Sequence, residues 1–282
     1  MAHAKAQDEL QKRYDQGSQS LEDPEVEHMI RQADEMMGKP ARMLIAQAGL
    51  EGSTTTSFSL LDNGCGTGLI ASCIQEVIQP SQRARRDQWI NVEAAVLDAQ
   101  DSGLPKHSFS HVVMNFAMHI IPDPAAVLRD TLRILRPGGI LAFSVPHVNN
   151  GHDGGWVPDL RSALESLPFQ TSFPDPMPVA LHGKPEWVEP EGIEAELVCH
   201  GFVDVKVETV DLIHPVANAE GFLASFGMMI KWVINTYWTV EQKEQYEDDF
   251  NKILVEHLQS KHGGKDWDLK STAILVTART PQ

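Results

Sequence analysis

Cysteine is scarce in this chain. Cys65, Cys73 and Cys199 are the only three among 282 residues, and no two of them form a C-x-x-C pair. An odd and sparse set of thiols excludes a disulfide framework and a structural zinc site, and it fits a reducing compartment. Positive charge is short as well: Lys and Arg total 23 against 39 Asp and Glu, a formal net charge of −16. Such a balance repels phosphate backbones and anionic lipid, so neither nucleic acid nor membrane is expected as a partner, and a small molecule is. Long apolar runs are missing too. The stretch from Phe226 to Trp238 is broken by Lys231 and Asn235, and residues 1–14 are polar. A membrane helix needs roughly 18 continuous apolar residues, and a secretory signal needs an apolar N-terminal core; with neither, the cytoplasm is the expected location. His, Cys and acidic residues show no metal-ligand spacing, so no metal is expected.

What is present is ordinary for a globular chain: 42% hydrophobic and 22% charged residues. At roughly 150 residues per domain the length allows one large domain or two small ones. Residues 1–50 read as helical, with an amphipathic face through Val26, Met29, Ile30, Ala33, Met36 and Met37. Gly38-Lys39-Pro40 predicts a break, and Arg42 to Ala48 a further short helix. Glu51 to Thr56 reads as a linker. Strand signals follow at Phe58–Asp62, Val92–Leu97, Ser110–Ala117 and Ile140–Val145, with helices predicted after Gly68 and from Pro124 to Leu135. Strands alternating with helices imply βαβ units and a mostly parallel sheet. Further on, a helix at 191–200, a strand at 202–210, about 60 largely helical residues and a last strand at 272–278 are expected. The domain reading is a helical cap at 1–50, a Rossmann-like core at 51–210, a helical lid at 211–270, and a last core strand and tail at 271–282.

The most informative segment is Leu60-Leu-Asp-Asn-Gly-Cys-Gly-Thr-Gly68. Its glycines let the backbone turn tightly and approach a ligand closely. The G-x-G-x-G spacing puts the third glycine one place earlier than a dinucleotide fingerprint does. Asp62 at the strand end would repel a phosphate but welcome an amino group.

Three motifs in order carry a resemblance. Leu60 to Gly68 is similar to motif I of the class I S-adenosylmethionine-dependent methyltransferases. Leu97-Asp-Ala-Gln-Asp-Ser-Gly-Leu-Pro105 with Phe109-Ser-His-Val-Val113 resembles their D-A-x-x-x-x-L-P and S-F-D-x-V module, with Ser110-His111 where Asp is usual. Leu132-Arg-Ile-Leu-Arg-Pro-Gly-Gly-Ile-Leu141 resembles their L-R-P-G-G motif. The flanks are similar to small fungal methyltransferases of secondary metabolism, including those acting on thiols and hydroxyls. The resemblance implies S-adenosylmethionine as cofactor and gives roles to residues. Gly64, Cys65 and Gly66 would line the methionine part, with Cys65 a small packed member of the loop. Asp62 would accept from the ammonium, Asp98 from the adenine amino group with the Ala99 N–H on a ring nitrogen, and Asn115 would border the sulfonium.

One departure stands out. The family places a strand with an acidic end for the ribose, then a helix and another strand, before the adenine site, a path of roughly 40 residues. Only 29 residues, 69–97, separate Gly68 from Asp98 here. Either Val92–Leu97 is the strand before the adenine site and the ribose unit is absent, or it is the ribose strand and Asp98 grips the ribose. Both readings leave the core short of one β-α unit, and continuity of Asp98 with Leu104-Pro105 favours the first. Weakened cofactor affinity is the expected consequence.

For the acceptor side, His119 and His147 each follow a strand and could act as a base for a hydroxyl; a thiolate needs none. Each histidine could equally cap its strand end. Phe226 and Met229, on a helically spaced apolar stripe, and Tyr14 and Trp156 are candidate substrate contacts, with plain core as the competing reading for the stripe. Two functions remain open on the sequence: methyl transfer to a small apolar metabolite at S, O or N, or a methyltransferase-like protein that binds or rearranges a small molecule. The oligomeric state is open.

Overall fold

The alternation of strand and helix signals resolves into an α/β fold in the computed structural model, which describes residues 24–51, 58–77, 92–148 and 153–282. The elements run α1 (Pro24–Gln47), β1 (Leu60–Asp62), α2 (Leu69–Val77), β2 (Phe109–Asn115), α3 (Pro124–Ile134), β3 (Leu135–His147) and α4 (Val157–Glu165). After a 3₁₀ turn at Pro185–Val188 come α5 (Pro190–Cys199), β4 (Val203–Val216), α6 (Ala219–Tyr237), α7 (Val240–His262) and β5 (Trp267–Arg279). The sheet order is β1-β2-β3-β5-β4. β1 and β2 pair in parallel with Asp62 opposite Val113, and β2 and β3 in parallel with Asn115 opposite Ser144. The expected mostly parallel, Rossmann-like architecture is present.

The chain divides into two compact units. Of the described residues, one unit holds those from Pro24 to Pro146, Lys184–Val210 and Ala273–Gln282; the other holds those of His147–Gly183 and Asp211–Thr272. In the first, Val112, Val113 and Met114 of β2 and Leu141, Ala142 and Phe143 of β3 are fully buried. A parallel strand covered on both faces reads as a continuous apolar run, which is how these strands read in the sequence. Leu44 and Ile45 of α1, Ala48 just after it, and Ile70, Cys73 and Ile74 of α2 pack together with Val113 and Ala142 of the sheet.

Three sequence expectations are corrected here. The break at Pro40 does not occur: α1 runs through it without interruption. An interior proline costs a helix about 3 kcal/mol, but Ala41, Leu44 and Ile45 just beyond it are fully buried, and Arg42 bridges Asp34 and Glu76 at 3.1 Å each. Packing outweighs the local penalty. The strand expected at Ile140–Val145 starts earlier: α3 ends at Ile134, and β3 begins at Leu135 and runs through Pro137-Gly-Gly139. The C-terminal tail supplies the pairing: Gly138 N–H donates to the Pro281 carbonyl at 3.2 Å and Thr280 N–H to the Gly139 carbonyl at 2.9 Å. The third correction concerns Val92–Leu97, which forms no strand. Val92 is 56% exposed, Val96 fully exposed and Leu97 50% exposed. Among the described residues, no strand lies between β1 and β2 in the chain, and none pairs with the other edge of β1. β-branched composition marks a residue's taste for a pleated surface, but a strand also needs a partner edge. Neither reading of that segment as a ribose or adenine strand holds. Residues 78–91, where the polar stretch after α2 falls, lie outside the described residues, as do residues 1–23 with Tyr14.

The second unit is built on a buried carboxylate. Asp159 of α4 accepts from Lys261 Nζ at 2.9 Å, His262 Nε2 at 3.0 Å and Trp267 Nε1 at 2.8 Å. Burial alone would raise its pKa, but the bonds from Lys261 and His262 outweigh that and hold the carboxyl below its ordinary range. These bonds tie α4 to the end of α7 and the start of β5. α7 opens with a reciprocal capping box between Thr239 and Gln242 and closes on left-handed Gly263, so both ends of this helix are satisfied locally. Among the described residues, no helix is long and apolar enough to cross a membrane.

Candidate active site

The glycine loop leaves β1 at its carboxyl end and enters α2. Asn63 N–H donates to the Val113 carbonyl at 2.9 Å, which holds the loop's first residue to β2. Gly68 N–H donates to the Cys65 carbonyl at 2.8 Å and closes the turn. Gly64 has φ +77°, and a Cβ added there would lie 3.1 Å from the Ala117 side chain. Only glycine suits both the dihedral and the close approach. Gly66 and Gly68 are also left-handed, with open space around them.

Asp62 is the most unusual group in the first unit. Its Oδ2 is buried and has no hydrogen-bond partner among the described residues. Burial raises its pKa to about 6, opposed only by the Ala71 backbone amide. A buried, unpartnered carboxylate oxygen is costly and calls for an explanation. A cationic ligand group at this place would supply the missing donor and a counter-charge. Next to it, Cys65 is exposed; burial of its inner flank and the Asp62 carboxylate push the thiol above its usual range, which leaves it a poor nucleophile.

Asp98 is a different kind of carboxylate. It is exposed, and its Oδ1 already accepts from Gln100 N at 2.9 Å and Gln100 Nε2 at 3.0 Å. Those bonds lower its pKa. Gln100 Oε1 in turn accepts from Asp123 N at 2.9 Å. The following residues are pinned to α3: Ser102 Oγ donates to buried Asp130 at 2.6 Å, Arg133 Nε donates to Asp130 at 3.0 Å, and Arg133 also binds the Leu104 carbonyl. Ala99 sits within this turn. The motif from Asp98 to Pro105 is therefore held by internal bonds. Ser110, where the family has Asp nearby, accepts from Ser59 N–H and donates to the Ser59 carbonyl, both at 3.0 Å, fastening the entry to β1. His111 is half-buried, and burial lowers its pKa.

Asn115 ends β2, two residues past the register partner of Asp62. Its Oδ1 accepts from Ser144 Oγ at 2.7 Å. His119 lies four residues on, half-buried, with its ring edge-on to Phe116 at 6.4 Å. Thus Asp62, the glycine loop, Asn115 and His119 all stand at the carboxyl ends of β1 and β2, where open α/β sheets hold ligands. His147 ends β3 and belongs to the second unit.

The second unit also contains the described substrate candidates. Trp156 and Phe226 stack at 6.1 Å with 17° between their planes, and His214 meets Phe226 edge-on at 5.5 Å. Phe222, Phe226, Ile230 and Val233 are buried, whereas Met229 is 37% exposed. The stripe is thus largely core, with Met229 left at the surface. The sequence reading missed Ser144. A lone hydroxyl inside the apolar run Ile140–Val145 was the available signal.

Residues 61–143 match the family described as methyltransferase domain. Methyltransferase tpcH of Aspergillus fumigatus is 30% identical over 266 residues, covering 86% of this chain and 91% of that protein. Acetylaranotin bis-thiomethyltransferase of Aspergillus terreus is 26% identical over 273 residues, covering 88% of this chain and 92% of that one. Among solved structures, phosphoethanolamine N-methyltransferase 2 of Haemonchus contortus with S-adenosylhomocysteine and phosphomonomethylethanolamine has a TM-score of 0.48 at 16% identity, covering 90% of this chain and 57% of that one.

Proposed function

The chain belongs to the S-adenosylmethionine-dependent methyltransferases, and from that premise we propose that it methylates a small, fairly apolar secondary metabolite in the cytoplasm. The observation that carries the cofactor end is Asp62. Its buried, unpartnered oxygen and raised pKa suit the ammonium of a methionine moiety, and Gly64 and Gly66 leave the loop without side chains where that moiety would pass. The residues present fit the methionine half of the cofactor. When bound, S-adenosylmethionine supplies an electrophilic methyl group on a sulfonium. This chain's residues supply alignment, a desolvated pocket and a proton acceptor.

Each residue has a share in that work. Asp62 holds the amino-acid end through a charge-assisted hydrogen bond, and Asn115 borders the reacting centre. Asp98 retains a carboxylate oxygen for the adenine amino group, beside the Ala99 N–H. His119 takes the proton from a hydroxyl acceptor, with His147 the second candidate; a thiol acceptor ionises without either. The relative that methylates thiols supports sulfur as the first acceptor atom to try, with oxygen and nitrogen next.

The test is transfer of a labelled methyl group from S-adenosylmethionine to a panel of small dithiols, phenols and amines. Label is expected in at least the thiol or phenol products. Tight S-adenosylhomocysteine binding with transfer to none of them would defeat the small-metabolite reading and keep the family. His119→Ala is expected to lower kcat for a phenol by roughly 10²–10⁴ and to leave a thiol at high pH nearly unchanged.

A further inference from the structure

Ser144 is fully buried in β3, opposite Asn115 in register. Its hydroxyl has two partners in the described residues. Oγ accepts from the Phe116 backbone N–H at 3.0 Å and donates to Asn115 Oδ1 at 2.7 Å. The same N–H also reaches the Ser144 carbonyl at 3.1 Å. Phe116 has φ 51°, the left-handed region that a non-glycine residue enters only when its surroundings hold it there.

This pattern fixes which way the Asn115 amide faces. A serine hydroxyl has a single proton to give. At full burial that proton needs an acceptor, and Asn115 Oδ1 is the one provided. With the amide turned over, the Asn115 amino group would meet Ser144 Oγ and the hydroxyl proton would be left orphaned, which is costly in a buried place. The oxygen of Asn115 is therefore spent on Ser144, and its amino group, a pure donor, is left for the crevice. Meanwhile the hold on the Phe116 amide sets the turn that leads, through the Phe116 ring, to His119.

Resting on the methyltransferase reading above, we infer that Ser144 is a positioning residue for the reaction: it aims the Asn115 amino group at a hydrogen-bond-accepting atom of the bound ligands and locks the left-handed turn that carries His119. The accepting atom belongs either to the carboxylate of the cofactor's methionine end or to an oxygen or sulfur of the methyl acceptor. Neither source requires Ser144 to touch a ligand itself.

Hydrogen exchange at the Phe116 amide in the ligand-free protein reads the lock directly. Calorimetric binding of S-adenosylhomocysteine and the KM for a turned-over thiol or phenol read the aim. Ser144→Ala is expected to speed Phe116 exchange by about tenfold or more and to weaken ligand binding by about five- to tenfold. Ser144→Thr keeps the hydroxyl and is expected to restore both. Asn115→Asp keeps the oxygen that Ser144 bonds but puts an acceptor where the amino group was. It is expected to leave Phe116 exchange at the wild-type rate and to weaken the ligand more than Ser144→Ala does. A loss in S-adenosylhomocysteine affinity assigns the accepting atom to the cofactor; a loss confined to the KM assigns it to the acceptor; either supports the inference. Wild-type Phe116 exchange in Ser144→Ala overturns it, as does Asn115→Asp with unchanged binding and KM. If the wild-type protein binds no S-adenosylhomocysteine at millimolar concentration, the methyltransferase reading fails, and Phe116 exchange still decides the role of Ser144.

Discussion

Asp62 and Asp98 are both carboxylates in family-like motifs of the same unit, and they are in opposite physical states. Asp62 is half-buried, with one oxygen unpartnered and its pKa raised to about 6. Asp98 is exposed and satisfied by its own neighbour Gln100, with its pKa lowered. A protein gains nothing by burying an unpaired carboxylate, so the cost at Asp62 makes sense only against a ligand. Asp98 costs nothing as it stands, since its bonds hold a turn whether or not a ligand comes. On the proposed assignment, the two ends of the cofactor path thus differ in how much binding energy they have in reserve. The methionine end holds most of it. At the proposed adenine end, no strand lies beyond β1 among the described residues, and the motif is anchored through Ser102, Asp130 and Arg133 to α3.

The comparison can be broken by substitution. The largest effect is expected from Asp62→Ala. Losing a hydrogen bond to a charged group is worth about 1.5–3 kcal/mol, or roughly 10- to 100-fold in S-adenosylhomocysteine affinity by calorimetry. An affinity within a factor of two of wild type would remove the contrast altogether.

A pH titration sharpens the same point. Because the Asp62 pKa is raised in the folded protein, its ionisation destabilises the ligand-free state as pH rises from about 4 through about 6. Asp62→Asn is therefore expected to raise the ligand-free melting temperature at pH 7–8 while weakening the ligand. Below about pH 6 the wild-type carboxylate must shed its proton before it can pair with an ammonium. Affinity should fall by up to about tenfold per pH unit there, with proton release on binding visible as a buffer-dependent heat. A flat profile from pH 5 to 8 would mean that Asp62 stays out of binding. The smallest effect belongs to Asp98→Ala, about 2- to 10-fold in S-adenosylhomocysteine affinity, the range for an exposed acceptor of a neutral amino group. A loss exceeding that of Asp62→Ala would reverse the ranking.

Much of the site could be read in advance because its signals are local. Asp62-Asn-Gly-Cys-Gly-Thr-Gly68 needs left-handed backbone at Gly64, Gly66 and Gly68, and only glycine takes that up without strain. The helices after Gly68, from Pro124, and from 190 to 262 were legible for the same reason: caps, prolines and apolar periodicity act over one or two turns. Val92–Leu97 was misread because its composition favours a strand while the partner edge that makes one is not a property of the segment. Pro40 was misread in the other direction, and the start of β3 was placed five residues late. Pro40 is a local breaker overruled by a contact from α2, and Pro137-Gly-Gly139 is held in β3 by the C-terminal tail.

By itself, then, the sequence determined the family, most of the helices and strands and the glycine loop, since dihedral preference and periodicity are written in neighbouring residues. Only the tertiary structure decided that β1 carries no further strand on its other side among the described residues, that Asp62 is buried with an oxygen to spare while Asp98 is not, and that Ser144 stands opposite Asn115. Burial, register and the fate of a hydroxyl proton depend on residues dozens of positions away, and no local pattern records them.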